Sequence, residues 1–382
     1  MKSSLDLLFG RPNRTTLTSC KPLLLAPLFL LLLSFFSLNN FTPSLFLFPS
    51  PSSSSSSSSS SYSKEDSRRE CNIYKGEWEK DEEAPYYTNK TCWSVQEHQN
   101  CMKYGRPDSE FMRWRWKPEG CDLRRFDPVN FLEMVKGKSL AFVGDSIARN
   151  HMQSLMCMLA KVAYPKDISR NKDENFKHMH YSDYNFTISI FWSPFLIKAH
   201  LEDTEGPNGT GLWDLYLDEK KLIGCHFCLL NNVTDLTLRY SHRAAFHTAF
   251  STLNKMENFK GQIILRTVSP SHFENGEWNK GGDCVRRKPY LRNEVKFEGL
   301  DEEFYRVQME EFLKAKMEGK KKGIEFKLMD TSEVMLLRPD GHPSRYGHWK
   351  HENVTLYNDC VHWCLPGPID IWNDFMFHIL SY

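Results

Sequence analysis

Three side chains able to make and break an ester lie far apart along this chain. Ser146 stands in the run Lys138-Ser139-Leu140-Ala141-Phe142-Val143-Gly144-Asp145-Ser146-Ile147-Ala148-Arg149-Asn150, where an apolar, strand-like stretch stops and a helix-like pattern begins. Near the C-terminus, Asp359-Cys360-Val361-His362 puts an aspartate three residues before a histidine. A serine hydroxyl is a poor nucleophile until a base takes its proton, and the imidazole that does so needs a partner to orient it. These residue types therefore point to acyl transfer, with Ser146 as nucleophile, His362 as base and Asp359 as orienter. The plainer readings are a helix N-cap for Ser146 and a hydrogen-bonded surface turn for Asp359 and His362.

Such chemistry needs elements that bring the pieces together. A serine at a strand–helix junction presents its oxygen at the carboxyl edge of a sheet, where ligands of open α/β sheets bind. The first N–H groups of the helix have no intrahelical acceptor and can meet an oxyanion, with the helix dipole adding to the effect. Gly144 permits the tight turn. The context Gly-Asp-Ser-Ile-Ala is not the G-x-S-x-G elbow of α/β hydrolases. Downstream, apolar runs predict strands at 139–143, 186–191, 262–267 and 324–328. Helical patterns fall at 147–161, 241–256 and 301–317. Their alternation predicts a layered α/β domain with a mainly parallel sheet. Residues 71–127, rich in Cys, Trp and charge, read as a loop-heavy segment pinned to that domain by disulfides.

The ends of the chain say where it works. Residues 1–21 carry Lys2, Arg11, Arg14 and Lys21 against a lone Asp6 and read as a cytosolic tail. Residues 22–48 are uncharged and largely apolar and read as a transmembrane signal anchor rather than a cleaved leader. Residues 49–70 form a Ser/Pro-rich stem, and 71–382 form a luminal domain. Beyond Cys20, ten cysteines remain: Cys71, Cys92, Cys101, Cys121, Cys157, Cys225, Cys228, Cys284, Cys360 and Cys364. That usage suits an oxidising compartment, with connectivity unreadable from spacing. Cys225 and Cys228 read as a local disulfide or two separate bonds rather than a redox motif. Cys360 and Cys364 are expected to be oxidised and to clamp the loop that carries His362. Sequons at Asn89, Asn185, Asn208, Asn232 and Asn353 fit the same compartment. With 49 Lys and Arg against 48 Asp and Glu, the chain has no charge excess to hold nucleic acid. His342, His348, His351 and His362 lack zinc-site spacing, so no metal is expected.

Six segments occur together in order: Cys71 to Trp78, Asn100 to Asp108, Gly120 to Leu123, the Gly-Asp-Ser block, Arg266 to Phe273, and Asp359 to Gly367. On these the chain, from about Cys71 onward, resembles the plant trichome-birefringence-like family of polysaccharide O-acetyltransferases. The stretches Leu337 to Ser344 and Pro366 to Asn373 are similar to the branch that includes xyloglucan acetyltransferases, with mannan acetyltransferases near it. The resemblance implies a three-layer core like that of SGNH/GDSL esterases and a single-pass type II Golgi membrane enzyme. It also implies the Ser146, His362 and Asp359 roles given above. Gly144, Arg149, Asn150, Arg266 and His272 are candidates for the oxyanion or substrate site, and Trp363 is the candidate for stacking on a sugar ring.

The implied reaction moves an acetyl group from a donor, acetyl-CoA or a carrier derived from it, to a hemicellulose hydroxyl, above all of xyloglucan. No bound cofactor is expected. Golgi acetylation or glycan-synthesis proteins are the expected protein partners. Mannan or xylan as acceptor, an acetyl-esterase, and a non-catalytic wall-polysaccharide binding protein are the alternatives.

Overall fold

The computed structural model describes residues 71–170, 172–201, 213–218, 221–225, 238–349 and 357–382. The tail, anchor and stem expected at 1–70 lie outside the described residues. Among those described, no helix is long and apolar enough to cross a membrane.

The segment from Cys71 is more regular than its sequence suggests. Strands β1 (Gly76–Lys80) and β2 (Trp114–Pro118) pair antiparallel, Gly76 opposite Pro118. Their tryptophans fasten them inward: Trp116 Nε1 donates to the Ile73 carbonyl at 2.8 Å and Trp78 Nε1 to the Val334 carbonyl at 2.9 Å. Helix α1 (Pro128–Met134) follows. Asp127 caps it by accepting from the N–H groups of Val129 and Asn130, and Pro128 opens it where no N–H is needed.

The centre is a four-stranded sheet in the order β3-β6-β5-β4. Strand β3 (Ser139–Gly144) feeds α2 (Ser146–Leu159) and runs parallel to β6 (Phe186–Trp192). Strands β4 (Lys166–Asp167) and β5 (His178–Tyr181) continue the sheet antiparallel. A separate antiparallel sheet is built from β7 (Lys198–Leu201), β8 (Trp213–Asp218) and β9 (Lys221–Cys225). After α3 (Leu238–Lys255), strand β10 (Gln262–Arg266) pairs parallel with β11 (Glu325–Met329) across the long helix α4 (Gly299–Lys320). Short α5 (Ser332–Leu336) and C-terminal α6 (Ile371–Ser381) complete the chain.

The expected mainly parallel sheet is thus corrected to a mixed α/β arrangement. Only β3 with β6 and β10 with β11 are parallel among the described residues. The four strands predicted from apolar runs all form. The strands that turn the pattern antiparallel are short and rich in polar residues, so they carry little periodic signal.

Helix α2 is buried nearly all round, with Met152, Leu155, Cys157, Met158 and Leu159 each at most 2% exposed. Its polar residues Asn150, His151, Gln153 and Ser154 are buried as well, so packing holds the helix on every side. It shares the main core with Phe142, Ile188 and Ile190 of the sheet and with Trp372, Phe375 and Phe377 of α6. A second cluster, Phe246, Phe250, Leu265, Phe312 and Phe326, joins α3 and α4 to the β10/β11 pair.

Among the described residues there are four disulfides: Cys71–Cys121, Cys92–Cys157, Cys101–Cys364 and Cys284–Cys360. Cys71–Cys121 closes a loop within residues 71–127, and Cys92–Cys157 and Cys101–Cys364 supply the expected pinning of that segment to the rest of the domain. The Cys225–Cys228 question lies outside the described residues, as do the sequons at Asn208, Asn232 and Asn353. Asn185 is exposed in a left-handed turn, whereas Asn89 is half-buried and donates to Asn100 Oδ1 at 2.9 Å.

Candidate active site

Ser146 is the first residue of α2, and its hydroxyl does not cap the helix. Asp145 does, its carboxylate accepting the Ile147 N–H at 2.9 Å. This leaves the half-buried Ser146 hydroxyl free of the capping role. The sharp exit from β3 rests on Gly144, which has φ +154°; a Cβ there would also come within 3.1 Å of the Ala148 methyl. The Gly144 carbonyl accepts from the Ser193 N–H at 2.8 Å, which fixes the turn to the neighbouring chain segment.

Asp359 and His362 form the pair expected of them. Asp359 Oδ2 accepts from His362 Nδ1 at 2.9 Å, and Oδ1 accepts the backbone N–H groups of Val361 and His362 at 3.1 and 2.9 Å. His362 Nε2 is buried and has no hydrogen-bond partner among the described residues. The carboxylate thus fixes which nitrogen carries the proton and leaves the other ready to accept one. Burial disfavours a charged imidazole, but the Asp359 carboxylate outweighs it and the His362 pKa lies above the ordinary value. Asp145 adds to this rise and Arg149 opposes it, so the residues flanking Ser146 act on the imidazole electrostatically. Burial likewise opposes charge on Asp359, yet His362 and the two backbone donors hold its pKa well below the usual carboxylate range.

The loop bearing the base is held almost residue by residue. Asp359 exchanges two backbone hydrogen bonds with Ser344, at 2.8 and 3.0 Å. Cys360 is tied to Cys284, and its carbonyl accepts from the His272 N–H at 3.1 Å. The His362 carbonyl meets His342 Nδ1 at 2.7 Å. The Trp363 N–H donates to Asn150 Oδ1 at 2.8 Å, and Cys364 is bonded to Cys101. Cys360 and Cys364 are therefore both oxidised, as expected, but to partners outside the loop. A small displacement of a catalytic group can cost about a hundredfold in rate, so this density of restraint suits a base that must meet a hydroxyl.

The remaining sequence candidates divide. Arg149 lies beside the site, its guanidinium over the Trp192 ring at 5.0 Å. Asn150 and His272 both support the loop: Asn150 through its Oδ1, with its buried Nδ2 unpartnered among the described residues, and His272 by bridging His342 at 2.7 Å and the Leu336 carbonyl at 2.9 Å. Burial pushes the His272 pKa down to about 4. Arg266 donates to the Thr267 carbonyl at 2.8 Å and lies over the Trp372 ring; burial lowers its pKa, and nearby Asp145 only partly offsets this. Trp363 is fully buried, donates to Ser269 Oγ at 3.1 Å and stacks on His342 at 4.1 Å. Its indole has no free face for a sugar, which corrects the expectation placed on it.

Sequence reasoning missed His98. Its ring meets that of His362 edge to face at 5.4 Å. Burial, then the neighbouring His362, brings its pKa down to about 4, so it is neutral at physiological pH. It reaches the site because the Cys101–Cys364 bond and a 2.9 Å hydrogen bond from the Leu365 N–H to the Gln99 carbonyl bring its turn against the loop. The Asn-Cys-Met run at 100–102 is a visible signal for the segment, but nothing in it points to His98.

Residues 69–122 match the PMR5 N-terminal domain. Residues 123–226 and 214–379 match the GDSL/SGNH-like acyl-esterase family found in Pmr5 and Cas1p. The chain is 50% identical over 349 residues to trichome birefringence-like 19 of Arabidopsis thaliana, covering 82% of each protein. It is 37% identical over 382 residues to xyloglucan O-acetyltransferase 4 of Populus trichocarpa, covering 91% of this chain and 89% of that one. It is also 37% identical to xyloglucan O-acetyltransferase 2 of Arabidopsis thaliana, covering 81% and 83%.

Proposed function

Because the chain belongs to the trichome birefringence-like family of polysaccharide O-acetyltransferases, we propose that it acetylates hydroxyls of a hemicellulose, xyloglucan first among them, by a double displacement at Ser146. The observation that carries this reading is the Asp359–His362 pair, with its free Nε2, on a loop fastened to the helix that Ser146 opens.

In the first half-reaction His362 Nε2 takes the proton of Ser146 Oγ as that oxygen attacks the acetyl carbonyl. The bond to the donor's leaving group breaks, the leaving group departs with the proton, and acetyl-Ser146 remains. The oxygen charge that develops falls at the N-terminus of α2, where the Ser146 N–H has no intrahelical acceptor. In the second half-reaction His362 takes the proton of a sugar hydroxyl, the sugar oxygen attacks the acetyl carbonyl, and Ser146 leaves with that proton. Asp359 keeps Nδ1 protonated throughout and stabilises the imidazolium formed in each half.

The xyloglucan preference rests on the two relatives named for that acceptor and on the segments Leu337 to Ser344 and Pro366 to Asn373. The acetyl donor, acetyl-CoA or a derived carrier, is a co-substrate. We place the enzyme in the Golgi membrane, anchored by residues 22–48, with residues 71–382 in the lumen. Four disulfides suit that oxidising side of a membrane. Golgi proteins of acetylation or glycan synthesis are then the neighbours that would supply donor and acceptor.

The test incubates the full chain with an acetyl donor and xyloglucan, mannan or xylan oligosaccharides. A mass gain of one acetyl group, greatest with xyloglucan and absent with Ser146→Ala, is the expected result. Acetyl loss from acetylated oligosaccharides, without transfer, would make the protein an esterase instead.

A further inference from the structure

We propose that Tyr104 and Trp349 form an acceptor subsite, a stacking platform for a neutral pyranose ring of the polysaccharide next to the sugar being acetylated, joined to the reacting centre by His98. This rests on the acetyltransferase reading and names where the acceptor lies.

Trp349 is 63% exposed. Tyr and Trp are enriched at contact surfaces, where an apolar ring meets a partner and its polar end stays wet. Its position is nevertheless fixed. The Tyr104 ring packs against it edge to face, centroids 5.2 Å apart. Two residues earlier, Gly347 passes so close to the turn below that a Cβ would lie 2.9 Å from the His98 carbonyl oxygen. Gly347 and His98 are thus in direct contact, and His98 in turn touches the His362 ring. The aromatic pair is therefore connected to the base through two packed contacts, on the side of His362 that His98 covers.

The chemistry of the rim chooses the occupant. The Tyr104 hydroxyl donates to the Glu97 carboxylate, which also accepts from Lys103 Nζ at 2.8 and 2.6 Å. The charges neutralise one another, so the rim has no net attraction for an acidic or basic polymer. It offers hydrogen-bonding groups around an aromatic face, which suits the hydroxyls and C–H face of a neutral sugar. Neutral His98, between platform and base, presents an uncharged imidazole to a hydroxyl entering from that side. Holding the next sugar would orient the acceptor hydroxyl and displace water, which favours transfer over hydrolysis.

The experiment uses the full chain as wild type, Trp349→Ala, Trp349→Phe and Ser146→Ala. Dissociation constants for neutral xyloglucan and mannan oligosaccharides are measured directly, with the acceptor KM and kcat alongside and the thermal midpoint as a check on folding. Trp349→Ala is expected to weaken binding and raise the acceptor KM roughly tenfold, the effect of losing about 1.4 kcal/mol, with kcat changed less. Trp349→Phe is expected to recover most of the loss. A Trp349→Ala protein that keeps the wild-type midpoint and binds oligosaccharides as wild type does would overturn the subsite. Binding needs no chemistry, so that outcome is separate from failure of the proposed function, which falls if Ser146→Ala still transfers acetyl.

Discussion

The side-chain oxygen of Asn150 accepts the backbone N–H of Trp363 at 2.8 Å. Asn150 lies one helical turn beyond Ser146 and Trp363 immediately follows His362, so this bond joins the helix of the nucleophile to the loop of the base. Both ends are buried, Asn150 and Trp363 being 0% exposed. Asn150→Ala strands a buried N–H, which costs about 1–3 kcal/mol. It also lets the loop drift, and a fall in kcat on the order of tenfold or more follows. Denaturant unfolding and acetyl-transfer kinetics on the same preparation check both. An unchanged kcat with reduced stability would restrict Asn150 to a structural role.

The Cys101–Cys364 bond ties the turn of His98 to the loop of His362. Replacing both cysteines by serine is expected to lower stability by about 2–5 kcal/mol. Activity should fall further than the folded fraction does, because the same bond positions two histidines. Thermal unfolding followed by assay well below the midpoint separates the two effects. Activity that tracks the folded fraction alone would contradict the positioning role.

Asp359 raises the His362 pKa against the opposing effect of burial. A general base must be neutral, so transfer should rise with pH through a value above the ordinary 6.5 of histidine. Asp359→Asn removes the main raising charge and leaves burial to dominate. Its residual activity should titrate at lower pH than the wild type and be smaller by about four orders of magnitude, the loss that the wrong tautomer causes in a comparable triad. A pH–rate profile of kcat/KM for wild type and variant decides; an acid limb that does not move would contradict the assignment.

At the start of α6, burial raises Asp374 to about 7 and Asp370 to about 6, from an ordinary 3.8. Asp374 accepts from Tyr86 at 2.6 Å and Asp370 from Tyr87 at 2.8 Å, so the two acids hold the N-terminal segment to the C-terminal helix. In the folded protein they keep their protons longer than in the unfolded chain. Their contribution is fully present below pH 3.8 and is lost as pH rises towards 7. Asp374→Asn, which imitates the protonated acid, is expected to flatten the decline of the thermal midpoint across that window. Equal slopes in variant and wild type would contradict it.

Much of the site is legible in the sequence because its parts lie at sharp changes of pattern. The apolar run ending at Gly144 marks a strand, and the run after Ser146 marks a helix. Four residues from Asp359 to His362 suffice to name the second pair. What the sequence conceals is tertiary. His98 lies in an aperiodic segment and is brought to His362 by a disulfide joining residues 263 apart and by the hydrogen bond from Leu365 to Gln99. Trp363 misleads because adjacency to His362 in the chain says nothing of exposure, and its side chain turns into the core. Asn150 reads from its place in the helix as an oxyanion contact, yet its oxygen serves a backbone N–H of the facing loop. The antiparallel strands escape because β4 and β5 are two and four residues long, too short for a period to show.

The double displacement stands most directly on whether Ser146 carries the acetyl group. Wild-type protein would be mixed with an acetyl donor without acceptor, quenched in acid and mapped by peptide mass. The expected result is acetylation of Ser146 that disappears when xyloglucan oligosaccharide is added, as acetylated sugar appears. Transfer at the wild-type rate with Ser146 never acetylated, or undiminished in Ser146→Ala, would contradict it.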